Sequence, residues 1–271
     1  MPDPIVCTPK MLPRDKWLAA AKKAVDINPM NHAPVARLSL VIPNFVARPE
    51  HLAVLVTKYW QNKSVSLTVG FMDNPEAALR KRILLHMNAW NKTANVKFVE
   101  SKTSPQVRIA READGYWSYL GTDVLSIAAN QQTMNLEAFT MQTPESEFHR
   151  VVRHETGHTM GFPHEHMRRQ LVAKIDEQKA IEYFGRTQGW DPQTVREQVL
   201  TPIEDSQLLA TPNADPNSIM CYQIPGVITK DGKPIIGGKD IDASDFSFAG
   251  KLYPKSSAKK KASAAVAGKK K

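Results

Sequence analysis

From Ser64 onward the chain alternates between apolar and polar positions. Val65, Leu67, Val69 and Phe71 interleave with Ser66, Thr68 and Gly70, a period of two that predicts a half-buried strand. Asp73 or Asn74 is then placed to cap a helix, and Pro75 suits its first turn. Leu79, Ile83, Met87 and Trp90 recur at helical spacing, so the helix is expected to end near Asn91. Val96 with Phe98, and Val107 with Ile109, predict two more strands. Strand, helix, strand, strand implies an α+β fold, a mixed twisted sheet backed by a helix.

A second helix is predicted from Thr143. Thr143 is read as its cap and Pro144 as its first helical residue, with Glu145 and Glu147 at the positive end of the helix dipole. Phe148, Val151 and Val152 supply its buried face, and Gly161 is a natural stop. Beyond it the chain is richer in loops, with helical stretches near 175–184 and 192–200 and a closing helix near 243–252. Upstream, residues 13–25 predict a short helix with Trp17, Ala20, Ala21 and Ala24 on one side. Pro29, Pro34, Pro43 and Pro49 then interrupt the chain repeatedly.

Composition narrows the class. Apolar residues make up 42% and charged residues 23% of the 271, ordinary for a globular chain with a sizeable core. No apolar run approaches the roughly 18–20 residues that span a bilayer, so no membrane partner is expected. Met1-Pro2-Asp3-Pro4 has neither the basic nor the apolar region of a secretory signal, which leaves a cytoplasmic location or export by an unrecognised route. Cys7 and Cys221 are too few for a disulfide framework. The net charge of +9 is concentrated at one end. Seven lysines lie in residues 255–271, and without them the rest of the chain carries +2. That Lys/Ala/Ser tail cannot build a core and reads as disordered. It offers only non-specific phosphate contact, with no interleaved aromatics to stack on bases.

The densest chemistry is at His154-Glu155-Thr156-Gly157-His158, followed by Gly161 and His164. His154 and His158 are four apart and face the same way on a helix, so two imidazoles can converge on one ion. Gly161 lets the chain turn sharply and return His164 as a third ligand. Three histidines leave coordination positions open, the plan of a catalytic zinc. Glu155, beside the first ligand, can reach a metal-activated water as general base. His149 and His166 flank the cluster and are read as supporting or surface residues.

This segment resembles the metzincin zinc peptidases, and within them the astacin family, because Glu165 follows the third histidine directly. Ser218-Ile219-Met220-Cys221-Tyr222 is similar to that family's Met-turn, although the residue between methionine and tyrosine is usually histidine and here is Cys221. Weaker similarities run through Gly115–Gly121 and from Ile241-Asp242 to Leu252-Tyr253, so the resemblance covers about residues 60–254. It implies a metzincin-like fold, with the active-site helix in the N-terminal half and a loop-rich C-terminal half closed by a helix. It implies a zinc-dependent endopeptidase acting on protein or peptide substrates, with Tyr222 as a hydrogen-bond donor to the oxyanion and able to reach the metal. It implies that Met220 packs beneath the site and Glu165 supports it. Unlike typical family members, the chain has no pair of disulfides and no inhibitory aspartate motif in residues 1–50.

The expected organisation is an N-terminal extension of residues 1–50, a catalytic domain over 51–254 with its cleft near Gly161, and the tail of 255–271, in a monomer. The extension is read as a pro-segment restraining the site, by the Cys7 thiolate on the metal or by steric coverage. A structural arm is the competing reading. A strand ending near Ile127 is expected to pair with an extended substrate. Other functions stay open. They are a catalytically silent zinc protein, a metalloenzyme acting on another bond, and a nucleic-acid-associated protein working through the tail.

Overall fold

The computed structural model describes residues 7, 10–41, 55–61, 64–164, 169–201, 215–221 and 223–255. Tyr222, Glu165, His166 and all of the tail beyond Lys255 lie outside the described residues.

Two helices come first, α1 over Trp17–Ile27 and α2 over Ala33–Val41. The prolines at 29 and 34 argue against α2 in the sequence. Pro29 instead opens a 3-10 turn capped by the Asn28 side chain, and Pro34 falls in the first turn of α2, where its missing N–H costs nothing. The alternating segment forms β1, Val65–Phe71, with Val65, Leu67 and Val69 buried. Helix α3, Ala77–Met87, buries Leu79, Ile83 and Met87 as its spacing required. Its N-cap is Glu76, which makes no capping bond, so neither Asp73 nor Asn74 serves. Asp73 instead accepts from Arg111 at 2.7 Å.

Strands β2 (Val96–Glu100), β3 (Val107–Ala110), β4 (Tyr116–Ser118) and β5 (Met134–Leu136) complete one five-stranded sheet in the order β2-β1-β3-β5-β4. The first three pairings are parallel, and β4 runs antiparallel to β5. The edge strand next to the site is therefore β4. Ile127 is not in a strand, because Gly121–Ser126 forms a 3-10 helix just before it. Three-residue strands carry too little alternation to be read from sequence.

The helix bearing the motif begins as a single turn at Glu145–Glu147 and widens into π geometry over Phe148–Val152. It tightens into α4, Arg153–Thr159. Its N-cap is Pro144; the Thr143 hydroxyl accepts from Thr140 N–H instead. Wide π turns recur at functional sites because the extra residue re-aims the side chains that follow. Phe148, Val151 and Val152 bury against the α3 side of the sheet, in a core with Ile83, Trp90 and Phe139. The C-terminal half holds α5, Glu177–Gln188, over a smaller core that includes Phe184, Ile224 and Ile228. Helix α6, Ala243–Leu252, closes the fold with an Asp242–Asp245 capping box. Among the described residues no helix is long and apolar enough to cross a membrane.

Candidate active site

All three motif histidines are buried, and their Nε2 atoms converge. His164 Nε2 lies 3.1 Å from that of His154 and 3.0 Å from that of His158. Their orientation is set from behind. His154 Nδ1 donates to the Ile219 carbonyl at 2.6 Å, and His158 Nδ1 to that of Phe162 at 2.7 Å. A carbonyl only accepts, so each Nδ1 carries the proton and each Nε2 turns a lone pair to the common point. Ligand arms of 2.0–2.1 Å in a tetrahedron put nitrogens roughly 3.3 Å apart. The three imidazoles therefore fit a zinc ion. Burial holds His158 in its neutral form, the one able to bind a metal, by lowering its pKa to about 4, against an opposing effect of the Phe162 carbonyl.

Gly161 makes this convergence possible. Its φ of +97° turns the chain straight after α4 and brings His164 back over the helix. Gly157, between the two helix histidines, matters as much. A Cβ there would stand 2.3 Å from Met220 Sδ, so the methionine of the Met-turn packs directly under the helix. Sequence reasoning passed over Gly157. Its signal was a glycine retained inside a helix, where it costs about 1 kcal/mol against alanine.

Glu155 is 1% exposed, and neither carboxylate oxygen has a hydrogen-bond partner of good geometry among the described residues. Burial is the main cause of a pKa pushed up to about 8, opposed by the Cys7 thiol and the Arg150 guanidinium. A buried carboxyl with no hydrogen bond of good geometry among the described residues, beside a metal cradle, is placed to exchange a proton.

The N-terminal segment enters this site. Cys7 is buried, its Sγ 3.5 Å from His158 Nε2, and it forms one group of possible metal donors with His154, His158 and His164. Residues 7 and 10 bridge in parallel to Tyr116 and Tyr119, along the outer edge of β4. Cys221 is buried too, and it lines one cavity with Cys7, Tyr116, Arg150, Glu155 and Gln223.

A second His/Glu group lies on the far side of the helix. His86 Nε2 is 3.0 Å and His149 Nε2 3.5 Å from Glu145 Oε1, while His149 Nδ1 meets Asp240 at 2.9 Å. Arg153 Nε donates to His86 Nδ1 at 3.3 Å, which leaves the proton on Nε2, toward Glu145. Arg82 pairs with Glu145, and Arg153 with Asp240. This is a charge-balanced brace between α3, the motif helix and the loop before α6. It gives His149 the supporting role expected of it.

Asp245 holds the Met-turn to α6. Its carboxylate accepts from Ser218 Oγ at 2.6 Å and from the backbone N–H of Ile219 at 2.9 Å. Burial still raises its pKa to about 6, against those bonds. Because the Ile219 carbonyl orients His154, the Asp245→Ala variant should lose metal affinity from a distance. The expected loss is roughly tenfold to a hundredfold, the usual effect of removing such support, read by chelator competition. Unchanged affinity would show that the Met-turn holds its position without Asp245.

Comparison with known proteins gives a consistent answer. The family model described as Astacin, a peptidase family, matches residues 54–188. The zinc metalloproteinase nas-27 of Caenorhabditis elegans is 30% identical over 112 residues, which is 41% of this chain and only 23% of that protein's own length. Two solved structures of myroilysin are similar. One has a TM-score of 0.69 at 29% identity and covers 74% of this chain and 98% of its own. The other has a TM-score of 0.56 at 27% identity, covering 73% and 86%.

Proposed function

Because this chain belongs to the astacin family of zinc metallopeptidases, we propose that it is an endopeptidase in which His154, His158 and His164 hold the metal and Glu155 is the general base. The observation that carries this reading is the convergence of three buried Nε2 atoms beside a buried carboxylate without a hydrogen-bond partner among the described residues. A zinc ion held there supplies a Lewis acid for the scissile carbonyl and makes water acidic enough to be deprotonated near neutral pH. Glu155 takes the proton of the attacking water and returns it to the leaving amine. The outer edge of β4 offers backbone groups to an extended peptide. The phenol of Tyr222 is assigned as donor to the developing oxyanion; a Tyr222→Phe variant that loses affinity rather than turnover would remove that role.

We further propose that the chain is latent while Cys7 is in place, with its thiolate as fourth ligand. A sulfur arm of 2.3 Å and a nitrogen arm of 2.0–2.1 Å in a tetrahedron stand roughly 3.5 Å apart, which matches the Cys7 to His158 separation of 3.5 Å. Residues 7 and 10 also occupy the β4 edge that a substrate would use. One set of measurements tests both proposals. Purified full-length protein should hold about one equivalent of zinc. Exchanged for cobalt, it should show a thiolate-to-metal charge-transfer band that Cys7→Ala lacks. Cys7→Ala should cleave a peptide library at least about tenfold faster, since a factor of ten needs only 1.4 kcal/mol, and a chelator should stop it. Absence of metal, or cleavage indifferent to chelator, removes the peptidase assignment. A cobalt spectrum without a thiolate band removes the latch alone.

A further inference from the structure

Two buried hydroxyls tie the outer strand of the sheet to the motif helix, and neither belongs to the metal cradle. Ser118 is the last residue of β4, and Thr159, the last of α4, follows His158 directly. Both are buried, and their oxygens stand 2.9 Å apart. Ser118 Oγ also lies 3.0 Å from the Tyr119 carbonyl, and Thr159 Oγ1 lies 3.2 Å from the Glu155 carbonyl. Each hydroxyl has a single proton, so two protons serve three contacts. If each went to its neighbouring carbonyl, the two oxygens would face each other lone pair to lone pair at 2.9 Å, which is repulsive. Both remaining arrangements make the Ser118–Thr159 bond. Either Ser118 donates to Thr159, which donates on to Glu155, or Thr159 donates to Ser118, which donates on to Tyr119. Thr159 is held from another side too, since its carbonyl accepts from Trp60 Nε1 at 2.8 Å.

We infer that Ser118 and Thr159 are positioning residues that hold the outer edge of β4 at a fixed spacing from the metal cradle, an inference that rests on the peptidase reading above. β4 is an edge strand of three residues, paired with β5. Its other side meets residues 7 and 10 at Tyr116 and Tyr119, on either side of Ser118. When that segment leaves, the ladder to β5 fixes β4 within the sheet, and the hydroxyl pair fixes it against the helix that carries His154 and His158. A peptide added to the edge inherits that placement. Its scissile carbonyl reaches the cradle only while strand and helix keep their spacing. Apolar side chains would fill the same space, and burying two hydroxyls costs desolvation that packing alone does not require.

The test uses the zinc-loaded full-length chain carrying Cys7→Ala. Its substrates are a cleaved library peptide long enough to lie along β4 and the same peptide shortened to the residues around its scissile bond. The readout is the ratio of kcat/KM for the long peptide to that for the short one. A change in metal content or in the folded fraction affects both peptides alike and cancels. Thr159→Val keeps the shape of the side chain and removes its hydroxyl. It should lower the ratio about tenfold, a modest share of what a misplaced scissile bond costs. Ser118→Ala should lower it equally, and the double variant should be no worse than either single one, as expected of one shared bond. Thr159→Ser should restore the parent ratio. Should Thr159→Val fold poorly, the other two variants decide the matter, since Ser118→Ala leaves Thr159 its bond to the Glu155 carbonyl. A parent with no preference for the long peptide, a ratio unchanged in every variant, or equal loss on both peptides overturns the positioning role and leaves the peptidase reading intact. No cleavage of any library peptide by the parent chain overturns both.

Discussion

Glu155→Gln should retain zinc and fold and lose roughly a hundredfold to ten-thousandfold in turnover, the usual effect of removing a general base. Glutamine has the shape of glutamate but cannot accept the water's proton. The substitution should be structurally quiet, because the Glu155 carboxylate makes no hydrogen bond of good geometry among the described residues for the amide to lose. Burial also disfavours the charge that is being removed. Melting temperature and zinc content should therefore match the parent, so that the lost rate reports chemistry. The comparison is best made in the Cys7→Ala background, where the fourth position no longer depends on the thiol. Near-normal turnover would show that another group activates the water, and loss of zinc would show that Glu155 acts through the metal site's geometry.

Cutting the chain at Pro49 should be destructive, whereas removing only the first ten residues or so should not. Asn31 is fully buried. Its amide donates to the Ala24 and Tyr59 carbonyls, both at 2.8 Å, and its oxygen accepts from Tyr59 N–H at 3.0 Å and Thr57 Oγ1 at 2.8 Å. Asn28 gives a further bond to the Trp60 carbonyl at 2.6 Å. Ala21, Ala24 and Val35 pack on Leu55 and Val56, and Leu12 and Ala20 pack on Ile127. Trp60 in turn donates to the Thr159 carbonyl at the end of α4. The first two helices thus support the strand of chain that braces the motif helix. Asn31→Ala should cost on the order of 3–5 kcal/mol, since several buried polar groups lose their partner at about 1–3 kcal/mol each. Denaturant titration reads this directly. The described residues before the helices, Cys7 and Lys10, meet the body at two β4 bridges, a Lys10–Asp114 ion pair at 3.2 Å and the Cys7–His158 contact at 3.5 Å, with no hydrogen bonds to the first two helices among the described residues. Release of the latch is accordingly expected from a cut between Lys10 and Trp17. A chain starting at Pro49 that melts like the full protein would refute this division.

The convergence of the three histidines was legible because it is local. His154 and His158 share a helix turn, and Gly161 and His164 follow within one short reversal, so spacing alone carried the three imidazoles to one point. Strand β1 and helices α3 and α6 were legible for a similar reason, since each repeats its period long enough to stand out. Short elements were not. Strands β4 and β5, three residues each, exist because a neighbouring strand satisfies their backbone, which no run of three side chains encodes. Helix α2 was hidden by prolines whose fit at turns and helix starts depends on position. The helix caps at 73 and 143 failed because those side chains had better partners elsewhere, and Asn74 stands at a φ of +46°, outside the helix start. Cys7 shows the division most plainly. Its sequence marks a thiol able to bind metal and says nothing of where it goes. Only the pairing of residues 7 and 10 with β4 carries it across the cleft to His158, 151 residues away, because long-range position is decided by which edge remains to be paired.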